Sequence, residues 1–264
     1  MGIFDKYASA LEKLDPIKYT GTVQKVLGGL IVESLGPRAV VGELCQILLP
    51  DSRRIIWGEV VGLKGRTVQI MPYDEMEGIT VGCKVIALGE SLSIPVSDRL
   101  LGRVLDAMGK PIDGKGDVGS SLWYPAIQGP PDVLRRPRIQ KRIATGIRSI
   151  DALITSGKGQ RMGIFSGSGV GKSTLLGMIA RNTSADVSVV GLIGERGREV
   201  RDFIENDLGP DGLARSVVVV ASSNKPPLAR IRGAYVATAV AEYFRDQGKD
   251  VMLLFDSVTR FARA

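Results

Sequence analysis

No histidine occurs in the 264 residues. That absence removes Ser/His/Asp hydrolases, Cys/His proteases and nearly every zinc site. Catalysis here has to draw on carboxylates, lysine, arginine, hydroxyls, backbone amides or a hard metal ion. Only two cysteines are present, Cys45 and Cys83. They are too few for a disulfide framework and read as buried thiols in a reducing compartment. Aromatic residues make up 5% of the chain, which argues against a broad surface for stacking single-stranded nucleic acid. No apolar run reaches the roughly 18 residues of a membrane span. The first residues, Met1 to Lys6, lack the basic-then-apolar pattern of a signal peptide. Lys6 stands where an N-myristoylation pattern needs Ser or Thr. These absences together point to a cytoplasmic protein.

What is present is an ordinary globular balance of 44% hydrophobic and 24% charged residues, with a net charge of +7. That charge suits acidic partners (nucleotides, nucleic acid or an anionic membrane surface) and equally suits a solvated basic surface. Four textures follow one another. Over residues 1–17, Phe4, Tyr7, Leu11 and Leu14 recur at helical spacing, which predicts a short amphipathic helix, either packed on the chain's own barrel or docking a regulatory partner. Residues 18–88 are short β-rich runs broken by glycine, among them Gly21–Val26, Ile55–Val61, Arg66–Met71 and Lys84–Leu88; this spacing predicts a small β-barrel. Residues 89–145 read as a connector rich in Gly, Pro and Asp. It carries the basic run Arg135, Arg136, Arg138, Lys141 and Arg142, a surface strip or a contact with a neighbouring subunit or an acidic ligand. From about residue 146 the texture is α/β. Strands are expected at Arg161–Phe165, Val187–Ile193, Val217–Ala221 and Val251–Phe255. Helices are expected at Lys172–Arg181, Glu199–Asn206 and Leu228–Gln247. Continuous apolar strands alternating with helices imply a parallel sheet covered on both faces.

Chemistry concentrates in three places. Ser166, Gly167, Ser168, Gly169, Val170, Gly171, Lys172 and Ser173, followed by Thr174, match the phosphate-binding loop except that Ser166 replaces its first glycine. The glycines let the backbone curl and aim amides at phosphate oxygens. The following helix adds the positive end of its dipole. Lys172 supplies a charge for the β and γ phosphates, and the Ser173 hydroxyl is a ligand for Mg²⁺. Next, the apolar run Val251 to Phe255 ends in Asp256, a carboxylate that suits the same ion. Finally, Gly194, Glu195 and Arg196 directly follow the strand expected to end at Ile193. Ligands of open α/β sheets sit outside the carboxyl ends of the strands, so Glu195 is expected beside the loop, able to polarise an attacking water. Arg196 is expected within reach of the γ phosphate.

Further runs carry a family resemblance: Leu101 to Asp106 with Gly109 to Gly114, Thr145 to Asp151, Gly159 to Gly163, Gly169 to Thr174, Gly194 to Val200, Ala241 to Gly248 and Asp256 to Ala264. On these the chain resembles the export ATPases of flagellar and virulence type III secretion systems, relatives of the rotary ATP synthase catalytic subunits. The resemblance implies a RecA-like P-loop core behind the barrel, ATP and Mg²⁺ as ligands, and catalytic roles for Lys172, Ser173 and Glu195. It also implies a homohexamer with nucleotide between subunits. A stator-like regulatory protein would bind through residues 1–17. Chaperones, unfolded export substrates and an export gate complete the expected partners, with no nucleic acid and with peripheral membrane contact open. A Rho-like RNA-dependent ring ATPase, a rotary ATPase subunit and a non-catalytic nucleotide-binding remnant are the alternatives. Such proteins continue beyond the strand that ends in Asp256, with an arginine finger, an adenine pocket and a helical domain. The sheet is therefore expected to be incomplete and ATP hydrolysis by residues 1–264 alone to be weak, since the finger is worth about 10³–10⁵ in kcat. An unfinished sheet also predicts an open edge and doubtful solubility.

Overall fold

The computed structural model describes residues 18–28, 30–50, 54–167 and 169–264. The helix expected over residues 1–17 lies outside them, as does Ser168. The chain forms two compact units, the first ending at Ser91 and the second running from Leu92 to Ala264.

The first unit is a closed barrel of six strands: β1 (Thr20–Leu27), β2 (Ile31–Leu35), β3 (Glu43–Leu48), β4 (Ile55–Lys64), β5 (Thr67–Pro72) and β6 (Lys84–Ser91). Their order around the barrel is β1-β2-β5-β4-β3-β6, with every neighbour antiparallel. Alternation drives it: β5 buries Val68, Ile70 and Pro72 and turns the residues between them outward. The inward set (Val23, Val32, Cys45, Ile47, Ile56, Ile70 and Val85) is fully buried. Closure leaves no edge to protect. Two carboxylates are also buried, and each is satisfied. Glu43 accepts from the amides of Val40 (2.9 Å) and Gly89 (2.7 Å), and Glu59 accepts from the Tyr73 hydroxyl at 2.8 Å. Both cysteines are free and buried. Burial pushes the Cys45 thiol up to about 12, with the nearby Glu43 charge adding to it, so it is inert.

The second unit opens with β7 (Ser93–Pro95), β8 (Arg103–Leu105) and β9 (Trp123–Pro125), then β10 (Arg142–Ile143), α1 (Arg148–Leu153) and β11 (Ser156–Gly157). Helix α2 (Lys172–Asn182) leads to β12 (Val187–Ile193). A continuous helical stretch follows: α3 (Gly197–Asp202), a π segment (Phe203–Leu208) and α4 (Gly209–Ala214). Then come β13 (Ser216–Ala221), α5 (Pro227–Asp246), β14 (Val251–Asp256) and α6 (Val258–Ala262). The main sheet is parallel, in the order β14-β12-β13-β8. All seven residues of the central β12 are buried, as expected of a strand covered on both faces. Val190 and Leu192 face a core shared with Leu176, Ile179, Phe203 and Leu208. The alternate positions face α5, where Gly191 lies under Ala237 and Gly233 packs on Ile193 and Ala221.

Two expectations change. Arg103–Leu105, inside the stretch read as connector, joins the sheet beside β13. Conversely, Arg161–Phe165 is not a strand: residues 161–167 are irregular and Phe165 is 96% exposed. A strand exists only with a ladder partner, and among the described residues the outer edge of β14 carries none.

Candidate active site

The carboxyl ends of β12 and β14 and the start of α2 meet. Gly169 and Gly171 hold φ of +77° and +86°, the left-handed region where a side chain is strained. Among the described residues, the loop amides of Gly167, Gly169, Val170 and Gly171 take no partner within the chain. Val170 and Thr174 are exposed. Gly171 caps α2, whose first two residues are Lys172 and Ser173. Both turn to Asp256, the last residue of β14, which is 2% exposed. The Lys172 ammonium lies 2.7 Å from Oδ1 and the Ser173 hydroxyl donates to Oδ2 at 3.0 Å. Apart from that ion pair, buried Oδ1 has no hydrogen-bond partner. A buried carboxylate beside a hydroxyl is a donor set that fits a hard divalent cation.

Glu195 follows β12 by two residues. The turn between them is Gly194, at φ +75°, and a Cβ there would lie 2.9 Å from the Arg260 side chain. Arg260 comes from α6, whose N-cap Ser257 accepts from the Arg260 amide. Its guanidinium donates to the Gly194 carbonyl and pairs with Glu195 Oε2 at 3.1 Å. Glu195 is 8% exposed. Burial pushes its carboxyl up, helped by a hydrogen bond with Glu199 and by the Asp256 charge, while Arg260 pulls it down; the result is about 7. The same hydrogen bond holds Glu199 below its ordinary value. The two carboxyls titrate as a pair, with burial holding Glu195 as the higher of the two.

The structure thus brings Lys172, Ser173 and Asp256 into contact, with Glu195 close enough to feel the Asp256 charge. Arg196 stands apart from that cluster: it is exposed and pairs with Glu199 at 3.3 Å. Arg260 and Glu199 carry no role in the sequence reading. Their signal is faint, because Glu199 looks like an ordinary first-turn acid and Arg260 meets Glu195 only across the sheet edge.

Known proteins match this arrangement. Residues 146–264 match the nucleotide-binding domain of the ATP synthase alpha/beta family and residues 23–89 match that family's beta-barrel domain. The flagellum-specific ATP synthase of Treponema pallidum (strain Nichols) is 59% identical over 259 residues, covering 98% of this chain and 58% of that protein. The flagellum-specific ATP synthase of Borreliella burgdorferi is 49% identical over 261 residues, covering 99% and 59%. Among solved structures, the assembled ATPase EscN with its central stalk EscO, from the type III secretion system of enteropathogenic E. coli, superposes with a TM-score of 0.83. It is 42% identical, over 92% of this chain and 59% of that one. The chain therefore spans somewhat more than half the length of these relatives. With both of its domains matched in order, the chain belongs to the ATP synthase alpha/beta family.

Proposed function

We propose that this chain binds MgATP and forms the barrel and nucleotide-binding part of a ring ATPase that energises flagellar or virulence type III protein export. The convergence of Lys172 and Ser173 on the two oxygens of the buried Asp256 carboxylate carries the reading. In it, the amides of Gly167, Gly169, Val170 and Gly171 and the Lys172 ammonium hold the phosphates, as a glycine-rich loop at a helix N-terminus does. Ser173 and Asp256 hold Mg²⁺, which supplies charge neutralisation on the β and γ oxygens. Glu195 takes the proton of the attacking water; a carboxyl raised toward neutral pH is a better base than an ordinary one. Arg260 orients that carboxylate until substrate arrives. Arg196, exposed and held by Glu199, is available to reach toward the γ phosphate or a neighbouring subunit.

The two flagellar relatives named above favour flagellar export. EscN is described as assembled and in complex with a central stalk, which supports a homohexameric ring with partners beyond this chain. These partners would be a regulatory protein on residues 1–17, an export gate, and chaperones with their unfolded substrates. The test is binding of a fluorescent ATP analogue with and without Mg²⁺. Wild type should bind, Lys172→Ala should not, and Asp256→Asn should lose the Mg²⁺ dependence. Equal binding by Lys172→Ala would place the nucleotide elsewhere. Phosphate release that rises per subunit with protein concentration would support a site shared between subunits; a concentration-independent rate would count against the ring.

A further inference from the structure

Helix α2 carries a glycine in its interior, Gly177, where glycine costs about 1 kcal/mol relative to alanine. The space above it is taken. A Cβ on Gly177 would lie 2.6 Å from the carbonyl oxygen of Asp207 and 2.8 Å from that residue's Cβ. Asp207 belongs to the π segment, a wider hydrogen-bond pattern that is frequent at functional sites. Arg181 stands one turn beyond Gly177 on the same face. Its guanidinium donates to the Asp207 carbonyl and, at 3.5 Å, to that of Asn206. Its stem lies on Gly212 of α4, where a Cβ would come within 2.7 Å of Arg181 Cγ. Phe203 and Leu208, at the two ends of the π segment, share one core with Leu176, Ile179 and Ala180 of α2.

These contacts join two arms, each carrying one half of the candidate site. Helix α2 begins with Lys172 and Ser173. The stretch α3–π–α4 begins two residues after Glu195, and its first turn holds Glu199, the hydrogen-bond partner of Glu195. The glycine seat, the carbonyl that fills it and the arginine that donates to that carbonyl make a close-packed junction, and such packing transmits strain.

We infer that Gly177, Arg181 and the π segment form a joint that ties the Glu195 arm to the phosphate-loop helix, making Arg181 a positioning residue for Glu195. This rests on the nucleotide reading above. Ordering of α2 by a bound nucleotide is then transmitted to residues 197–208, far along the chain from the loop. Hydrogen–deuterium exchange of this chain tests it, with and without a non-hydrolysable ATP analogue and Mg²⁺. In wild type the analogue slows exchange over residues 197–208 severalfold. Arg181→Met fills the same space without a donor; it binds the analogue with an affinity close to wild type, but the slowing over 197–208 is lost. Arg181→Lys, which restores a donor, recovers part of it. Wild type that binds the analogue without slowing there overturns the joint, as does Arg181→Met that keeps the slowing. Wild type that fails to bind the analogue sinks the nucleotide reading itself, and the inference with it.

Discussion

Removing the Arg260 guanidinium should raise the titration midpoint of Glu195. That carboxyl already stands near 7 because burial, the Glu199 hydrogen bond and the Asp256 charge all disfavour its ionised form, and Arg260 opposes them. The charged groups are 3.1 Å apart. At that separation the attraction is about 5 kcal/mol at an effective dielectric near 20, and about 1.3 kcal/mol at the value of water. The Arg260 side chain is 39% exposed, so solvent screens the pair and the lower figure governs. Since a shift of one pKa unit is about 1.4 kcal/mol, Arg260→Met should move the midpoint up by about one unit. Glu199→Gln should move it down, because it removes a like charge from the shared hydrogen bond. The assay is a carbon-13 NMR titration of the chain labelled at its glutamate carboxyls, the signal being assigned by its loss in Glu195→Gln. A midpoint unchanged or lowered in Arg260→Met would refute the reasoning, as would one raised in Glu199→Gln. Stability follows the same sign. The folded-state value lies above the ordinary 4.5, so between those two values the folded chain binds more protons than the unfolded one. The contribution of Glu195 is therefore fully present below about 4.5 and is lost as pH rises through about 7.

Other outcomes follow from the same structure. Glu195→Gln in a hydrolysing assembly should cut phosphate release by about 10²–10⁴ while leaving fluorescent-nucleotide binding in place; loss of binding instead would make Glu195 a ligand, not a base. Arg103 is buried against Asp113, donating to both of its oxygens. Arg103→Met should cost about 1.5–3 kcal/mol in urea unfolding, because it removes charge-assisted hydrogen bonds and leaves the carboxylate only the amides of Val104 and Lys115. The pair holds the Asp113 carboxyl well below the usual range, so that stability is present above about pH 4 and fades as pH falls further. In the barrel, a Cβ on Gly21 would sit 2.2 Å from the carbonyl carbon of Gly36. No rotamer relieves a clash of backbone with backbone, so Gly21→Ala should cost at least the ~1–3 kcal/mol of ordinary overpacking, read as an earlier urea transition; an unchanged transition would mean that the strands part there at no cost.

Some of this architecture was written plainly in the residues. Val187–Ile193 is an apolar β-branched run and folds over those very residues as β12. The run into Asp256 and the long α5 pattern were equally legible, because each is apolar at one unambiguous period. Strand β8 was not, since three residues in a Gly- and Asp-rich stretch carry no periodicity; its place is set by pairing with β13. Strand β2 carries a weaker signal, because Glu33 and Ser34 break its apolar run, although Ser34 is itself buried. The segment before the phosphate loop reads as a strand from composition and fails as one for want of a neighbour, which no local pattern can report. Lys172, Ser173, Asp256 and Glu195 could be named in advance because motif and strand ends place them. Arg260 could not, because its partnership with Glu195 depends on how closely α6 crosses Gly194; Glu199 could not, because it reads as an ordinary first-turn acid.

The close seating of α5 on the sheet bears on how this sequence can drift. Gly233 has the side chains of Ala221 and Ile193 where its own Cβ would go, and Gly191 has the Phe255 ring. Neither position touches the chemistry, yet a saturation scan selecting for a working protein would score both as sternly as Lys172. Single-step escape is closed at each, because any replacement enlarges one surface without shrinking the other. Change has to arrive in compensating pairs, with a glycine gaining bulk only after Phe255 or Ala221 has lost it. In such a scan, intolerance at Gly233 measures the distance between a helix and a sheet, and intolerance at Gly191 the room left by a ring on the neighbouring strand; a selection run without nucleotide would separate both from intolerance at the site.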